Sequence, residues 1–440
     1  MKAVFRYFLL FLLTAGILIT AFIAVAIIPR VAIQKNVEKS AALFSQKEGA
    51  FPSTFAGLNS SGMDYYADAV LLDIAWYLEP EHPLESISWA KYYTEDRYSY
   101  NGFVKEYFIE SIKKNLPANQ QYLRYWHGSI IFVKPMLMFL DINGIHIIHG
   151  LLLLVLTIWL MMLLKRKRLR VESIILLVSM IAVSIWFVPF CMEFVWMFLC
   201  MLVTSIITVI WTSSGQEKWL PALFLTVGMT SVFLDFFTTE TLTIAVPLLF
   251  MLRIRRRKGQ KAGTFKILGE SCILWGIGYV GMWTLKWGFA AVCLRQNIIP
   301  FVKDSVWEHV QSFEQMGMLE MKIKTLANNF RLLFPLEYGL IGQVLILLLI
   351  AAFIVFPVIT DRIRLRLHID RIWILWYLLV GIIPIMRFLV ISNHSLVHSF
   401  FTHRALAAFV MALCLIILEL VEMNPGRNTK NKAVQSNESM

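Results

Sequence analysis

Apolar runs of about 20 residues recur along this chain, separated by short polar or basic turns, and they limit its possible folds more than any other feature. A helix needs a run of about that length to cross the hydrocarbon core of a bilayer. In that medium backbone hydrogen bonds must close within the segment. Spans read at about 7–29, 143–164, 173–190, 194–212, 219–236, 240–253, 268–292, 338–358, 372–391 and 405–422. The expected fold class is an all-α integral membrane protein with about ten transmembrane helices. Composition agrees, since 58% of the 440 residues are apolar, against roughly 45–50% for a soluble domain.

The net charge of +12 raises the question of nucleic acid. Its distribution points elsewhere, because the excess sits in runs beside apolar segments: KRKRLR (165–170), RIRRRKGQK (253–261) and RIRLR (362–366). Short basic loops of this kind mark the cytoplasmic side. Alternating the spans puts every strongly basic loop on that side, with both termini cytoplasmic and the first helix a retained signal-anchor. The organisation expected is a first transmembrane helix (1–29), an extracytoplasmic loop containing short helices (30–142), a bundle of about nine spans (143–422) and a disordered cytoplasmic tail (423–440). The location is the cell membrane, the partners include membrane lipids, and nucleic acid is not among them.

Two stretches of the large loop, YYADAVLLDIAWYL (65–78) and YNGFVKEYFIESIKK (100–114), have helix-like apolar spacing, as does 306–330 in a later outside loop. Glu95-Asp96-Arg97 reads as a surface turn. Cys191, Cys200, Cys272, Cys293 and Cys414 all lie in apolar segments without a CxxC pair. That excludes a disulfide framework and a thiolate metal site.

A charge at bilayer depth costs at least about 2.5–3.5 kcal/mol, so charges inside apolar helices mark functional candidates. Lys286 lies within 268–292 and Arg387 within 372–391, while Glu193, Asp235 and Glu240 sit at outside helix ends. NHSLVHSFFTHR (393–404) adds His394, His398, His403 and Arg404, and the end of the large loop adds Arg124, His127 and Lys134. These groups collect on the outer side of the expected bundle. His394 and His398, four apart, suit one helix face and a metal pair, but no third ligand is fixed, so a divalent metal is neither indicated nor assigned. Asp64 and Asp68 share a helix face, and Asp73 is turned by about 140° from them. Any of the three is a candidate general base.

The strings ADAVLLDIAWYLEPEHPL (67–84), RYWHGSIIFVKPMLMF (124–139), FLDFFTTETLTIAVPLL (233–249), WGIGYVGMWTLKWG (275–288) and NHSLVHSFFTHRAL (393–406) resemble uncharacterised bacterial multispan proteins. With a large acid-bearing loop after the first helix, the layout is similar to the GT-C superfamily of membrane glycosyltransferases. The resemblance implies an inverting transfer of sugar from a polyprenyl-phosphate-linked donor to an envelope glycan or lipid acceptor on the extracytoplasmic face. It implies Asp68 as base, with Asp64 and Asp73 as alternatives. Arg124, Lys286, Arg387 and Arg404 become phosphate contacts, and His127, His394 and His398 become sugar or acceptor contacts. One departure is that the superfamily usually places its base close behind the first helix, often beside a second acid, and here these acids come some 35 residues later. The alternative reading is a transporter or flippase of a lipid-linked or anionic substrate, which would also want a charged cavity between helices.

Overall fold

Residues 2–47, 49, 51–55, 57–95, 104–310, 316–352, 363–366 and 369–423 are described in the computed structural model. The tail 424–440, Asp96-Arg97, Arg362 and residues 100–103, 311–315 and 353–358 of the segments named above lie outside them. The fold is almost entirely helical. Among the described residues its strands are two short antiparallel pairs, Lys91–Tyr92 with Gln120–Gln121 and Ile363–Leu365 with Val421–Met423.

The first helix, α1 (Lys2–Ala26), gives way at Pro29 to α2 (Arg30–Ser45). The large loop then folds as α3 (Tyr65–Tyr77), α4 (Pro83–Trp89), α5 (Val104–Lys114) and α6 (Ile130–Leu137). Helix α3 is enclosed rather than laid on a surface, since every residue from Asp68 to Tyr77 is buried. The bundle continues with α7 (Ile142–Arg166), α8 (Arg170–Ala182), α9 (Met192–Ser213), α10 (Leu220–Leu234), α11 (Leu242–Arg257) and α12 (Thr264–Leu294). After α13 (Ile299–Val310) and α14 (Met318–Arg331) come α15 (Leu340–Ile350), α16 (Arg371–Gly381), α17 (Ile383–Val390), the short α18 (Ser392–Val397) and α19 (Ser399–Thr402), and α20 (Ala407–Leu420).

Among the described residues six helical stretches are long and apolar enough to cross a membrane: Val4–Ala26, Ile142–Arg166, Met192–Ser213, Thr264–Leu294, Arg371–Val390 and Ser399–Leu420. Their outward faces carry exposed Phe8, Leu13, Leu154, Trp159 and Ile277, a surface that lipid rather than water accommodates. The other expected spans differ in form. The 173–190 segment ends its α-helix at Ala182, where Ser184 takes a left-handed φ of 53° and a 3-10 turn, Ile185–Phe190, follows. The 219–236 and 240–253 segments form helices of 15 and 16 residues, and the 338–358 segment is described only as far as residue 352.

The three basic runs meet at one end of the bundle. Arg257 donates to the carbonyl of Arg168 (2.6 Å), and Lys258 to those of Thr212 and Ser213 (2.7 and 3.0 Å). Glu419 collects Arg253, Arg256 and Arg366 at 2.8, 3.0 and 3.6 Å. At the opposite end α3 to α6 pack against the starts of α7 and α9 and the far end of α12.

Candidate functional site

At that opposite end lies a cavity of about 350 Å³, a size in the range of small-molecule sites. Its acidic side is built from two helix starts. Asp64 N-caps α3, accepting from the amide of Ala67 at 2.8 Å, and Glu193 stands in the first turn of α9. Acids favour both positions because the free amides of a helix N-terminus attract negative charge. The two carboxyl groups lie beside each other, and the Glu193 side chain acts on the Asp64 carboxyl. Burial, aided by the charge of Asp68, raises the Asp64 carboxyl to about 7 against the bonds it accepts.

Arg124 and His127, from the segment leading into α6, and His394 and His398, from α18 and its C-terminal end, line the same cavity. The two histidine rings lie 4.7 Å apart, and His398 stacks on Phe401 at 5.2 Å. Burial, with Lys286 close by, holds the His127 imidazole well below its usual range and therefore neutral. Tyr66, Tyr92, Tyr122, Tyr125 and Phe236 complete the wall. Burial also raises the Tyr122 and Tyr125 phenols, which keep their protons.

Of the residues selected from sequence, the structure brings Asp64, Glu193, Arg124, His127, His394 and His398 to this cavity. The others stand behind it or apart from it. Asp68 is fully buried, with Oδ1 accepting from the Met192 amide (2.8 Å) and the Cys191 thiol (3.4 Å) and Oδ2 meeting His146 Nε2 at 3.1 Å. It fastens α3 to α7 and to the start of α9. Asp73 faces the other way and accepts from the Tyr93 amide (2.7 Å) and Ser111 Oγ (3.2 Å). Arg387 pairs with Glu240 at 3.0 Å and donates to Ser395 Oγ at 2.8 Å and to the Phe237 carbonyl. Asp235 caps the end of α10 and accepts from Thr238. Lys286 donates to the carbonyls of Ile87 and Ser88 at 3.1 and 2.9 Å, closing the end of α4. Arg404 donates to the Ser60 carbonyl at 2.8 Å and lies over the Phe194 ring. Lys134 is buried in α6 and is not part of the cavity wall, and its amine is lowered to about 8 by that burial.

The tyrosines of the wall were not selected from sequence. Their signal was the density of tyrosine in the large loop, which composition alone does not distinguish from interfacial anchoring. Among the described residues no cluster of three or more His, Cys, Asp or Glu side chains is arranged to hold a metal ion.

The fold and the site together define a class: a helical protein with several membrane-length helices and a mixed-charge, aromatic-walled cavity at one end. No family model, curated protein or solved structure matches the chain.

Proposed function

We propose that this protein is a multispan membrane enzyme that transfers a sugar from a polyprenyl-phosphate-linked donor to an envelope glycan or lipid acceptor. In this reading ten helices cross the membrane and the cavity opens on the extracytoplasmic side. The observation that carries it is that Asp64, Glu193 and Arg124 line one cavity walled by aromatic rings. A carboxylate that titrates near 7 is well matched to act as a general base. Asp64 takes the acceptor hydroxyl's proton as its oxygen attacks the anomeric carbon. The bond from that carbon to the phosphate oxygen breaks, and charge grows on the leaving phosphate. Arg124 is placed to meet that charge, as a fixed guanidinium does without reorganising. The neutral His127 offers a hydrogen bond to a hydroxyl, and flat tyrosine and phenylalanine walls suit the apolar faces of a sugar ring.

Supporting the reading is an apolar groove of about 560 Å³ between α6, α7, α9 and α10. Trp196, one turn along α9 from Glu193, stacks there on Phe132 at 5.0 Å. The groove gives an isoprenoid chain an apolar bed beside the cavity. In this assignment Asp64 replaces Asp68 as base, because both Asp68 oxygens are already engaged with α7 and α9.

The test is mass spectrometry of envelope glycans and lipid-linked sugars in cells that lack the protein, complemented with wild type or Asp64→Asn. Deletion and Asp64→Asn should both accumulate a lipid-linked monosaccharide and leave a glycan or lipid undecorated. Full restoration by Asp64→Asn removes Asp64 as base. Unaltered glycans and lipid-linked sugars in the deletion overturn the transferase, and accumulation confined to the cytoplasmic leaflet indicates a flippase instead.

A further inference from the structure

A second pocket, of about 440 Å³, lies at the basic end of the bundle where the α7–α8 turn meets the end of α11. Arg168, Arg170, Arg253 and Arg257 line it, with Glu172 as the one acid. The arginines divide into two kinds. Arg253 is bound to Glu172 at 2.6 Å and to Glu419 at 2.8 Å, and Arg257 donates to the Arg168 carbonyl at 2.6 Å and approaches Glu172 at 3.8 Å. These two are held by the protein itself. Arg168 and Arg170 are exposed, and among the described residues no carboxylate reaches either guanidinium. The pocket therefore has a fixed inner wall and two cationic arms with charge to spare.

Its depth and surroundings indicate what those arms hold. Helix α7 has 25 residues, a length of about 37 Å, against roughly 30 Å of hydrocarbon. With its start beside the cavity, its end comes to headgroup level on the other face. Directly above the pocket the outward side of α8 is an apolar stripe, with Val171 47%, Ile174 60% and Val178 44% exposed. Helix α7, which packs against α8, also exposes Met162 in its last turns. A soluble anion would use only the arginines. A lipid uses both features, its phosphate between the guanidiniums and its acyl chains along the stripe. Arginine binds phosphate oxygens through paired N–H groups, and basic pockets at the cytoplasmic ends of membrane helices suit anionic headgroups.

We infer that the pocket formed by Arg168, Arg170, Arg253 and Arg257 binds an anionic phospholipid, phosphate on the arginines and acyl chains against α7 and α8. The site is separate from the cavity and does not depend on its chemistry.

The full-length protein in lipid nanodiscs tests this, by counting the phospholipid retained after delipidation in native mass spectrometry. Wild type should retain phosphatidylglycerol over phosphatidylcholine when both are supplied. Arg168→Gln/Arg170→Gln should bind it roughly thirtyfold more weakly, about fivefold for each basic group lost. Lys165→Gln/Lys167→Gln removes the same charge outside the pocket and should retain the lipid. Both arginines are exposed and without a carboxylate partner, so the double variant should elute as wild type does on size exclusion. Equal retention by the arginine variant and wild type overturns the site. So does an equal loss in the lysine variant, which reduces the effect to net charge. Glycerol phosphate competing as well as the whole lipid overturns the lipid assignment in favour of a soluble anion.

Discussion

Burial gives the same side chain different roles across short distances. Asp64 and Asp68 are four residues apart on one helix. One faces a cavity beside a second carboxyl, and the other is consumed by three donors that hold helices together. Because the Asp64 carboxyl is raised to about 7, the base form is present above that value and lost below it. The rate of transfer at limiting substrate should rise with pH through about 7 and level off above. Glu193→Gln keeps a donor to the Asp64 carboxylate and should leave the profile near wild type. Glu193→Ala removes a bond to the ionised form, so the rise should move to higher pH. A profile in Glu193→Ala that coincides with wild type would separate the two groups. Helical spacing puts Asp64 and Asp68 on one face, but Asp64 stands as the N-cap just before the helix and only it lines the cavity. Spacing could not say that Cys191, Met192 and His146 converge on Asp68, because those partners lie more than 70 positions away.

Helix packing shows a similar contrast between local and distant information. The run Leu220–Leu234 is legible as a helix, yet its closest contact depends on two glycines with no mark in its apolar pattern. A Cβ on Gly228 would lie 2.1 Å from the Trp275 carbonyl oxygen, and one on Gly278 would lie 2.2 Å from that of Leu225. The backbones of α10 and α12 therefore touch at two reciprocal points, the close approach that small residues allow in membrane helices. Gly228→Ala and Gly278→Ala must each move a backbone and should destabilise by about 1–3 kcal/mol, the usual cost of overpacking. Thermal unfolding in detergent measures it. Gly276, on the same helix, has open space where its Cβ would stand, so Gly276→Ala should be neutral or mildly stabilising. Destabilisation by Gly276→Ala equal to that of Gly278→Ala would trace the effect to helix propensity or bilayer insertion and not to the crossing. Lys286 has the same lesson from the other side. An intramembrane lysine reads from sequence as a ligand contact, and here its ammonium meets the last carbonyls of α4, where a cation favours a helix end.

Across the whole molecule, the helical, membrane-length character of the fold and the gathering of basic runs at one end were legible, because both follow from composition along single segments. The form of individual crossings was not, because a buried helix need not be as long as a lipid-facing one. If only the six longest helical stretches crossed, RIRRRKGQK would lie across the membrane from KRKRLR. The contacts of Arg257 with Arg168 and of Lys258 with Thr212 and Ser213 place the ends of α7, α9 and α11 together. Asp68 joins the starts of α7 and α9 at the other end, and Phe236, just past α10, lines the cavity there. The α8 helix with its 3-10 turn, α10 and α11 therefore connect the same two levels that the ends of α7 and α9 define. Single cysteines placed on exposed residues read this out with a membrane-impermeant maleimide. Glu81→Cys and Lys324→Cys should label in intact cells, and Lys167→Cys and Lys261→Cys only after the membrane is opened. The reverse pattern inverts the molecule and puts the cavity in the cytoplasm. Labelling of Lys167→Cys and Lys261→Cys from opposite sides would break the pairing of the α7 and α11 ends, and with it the ten-crossing arrangement.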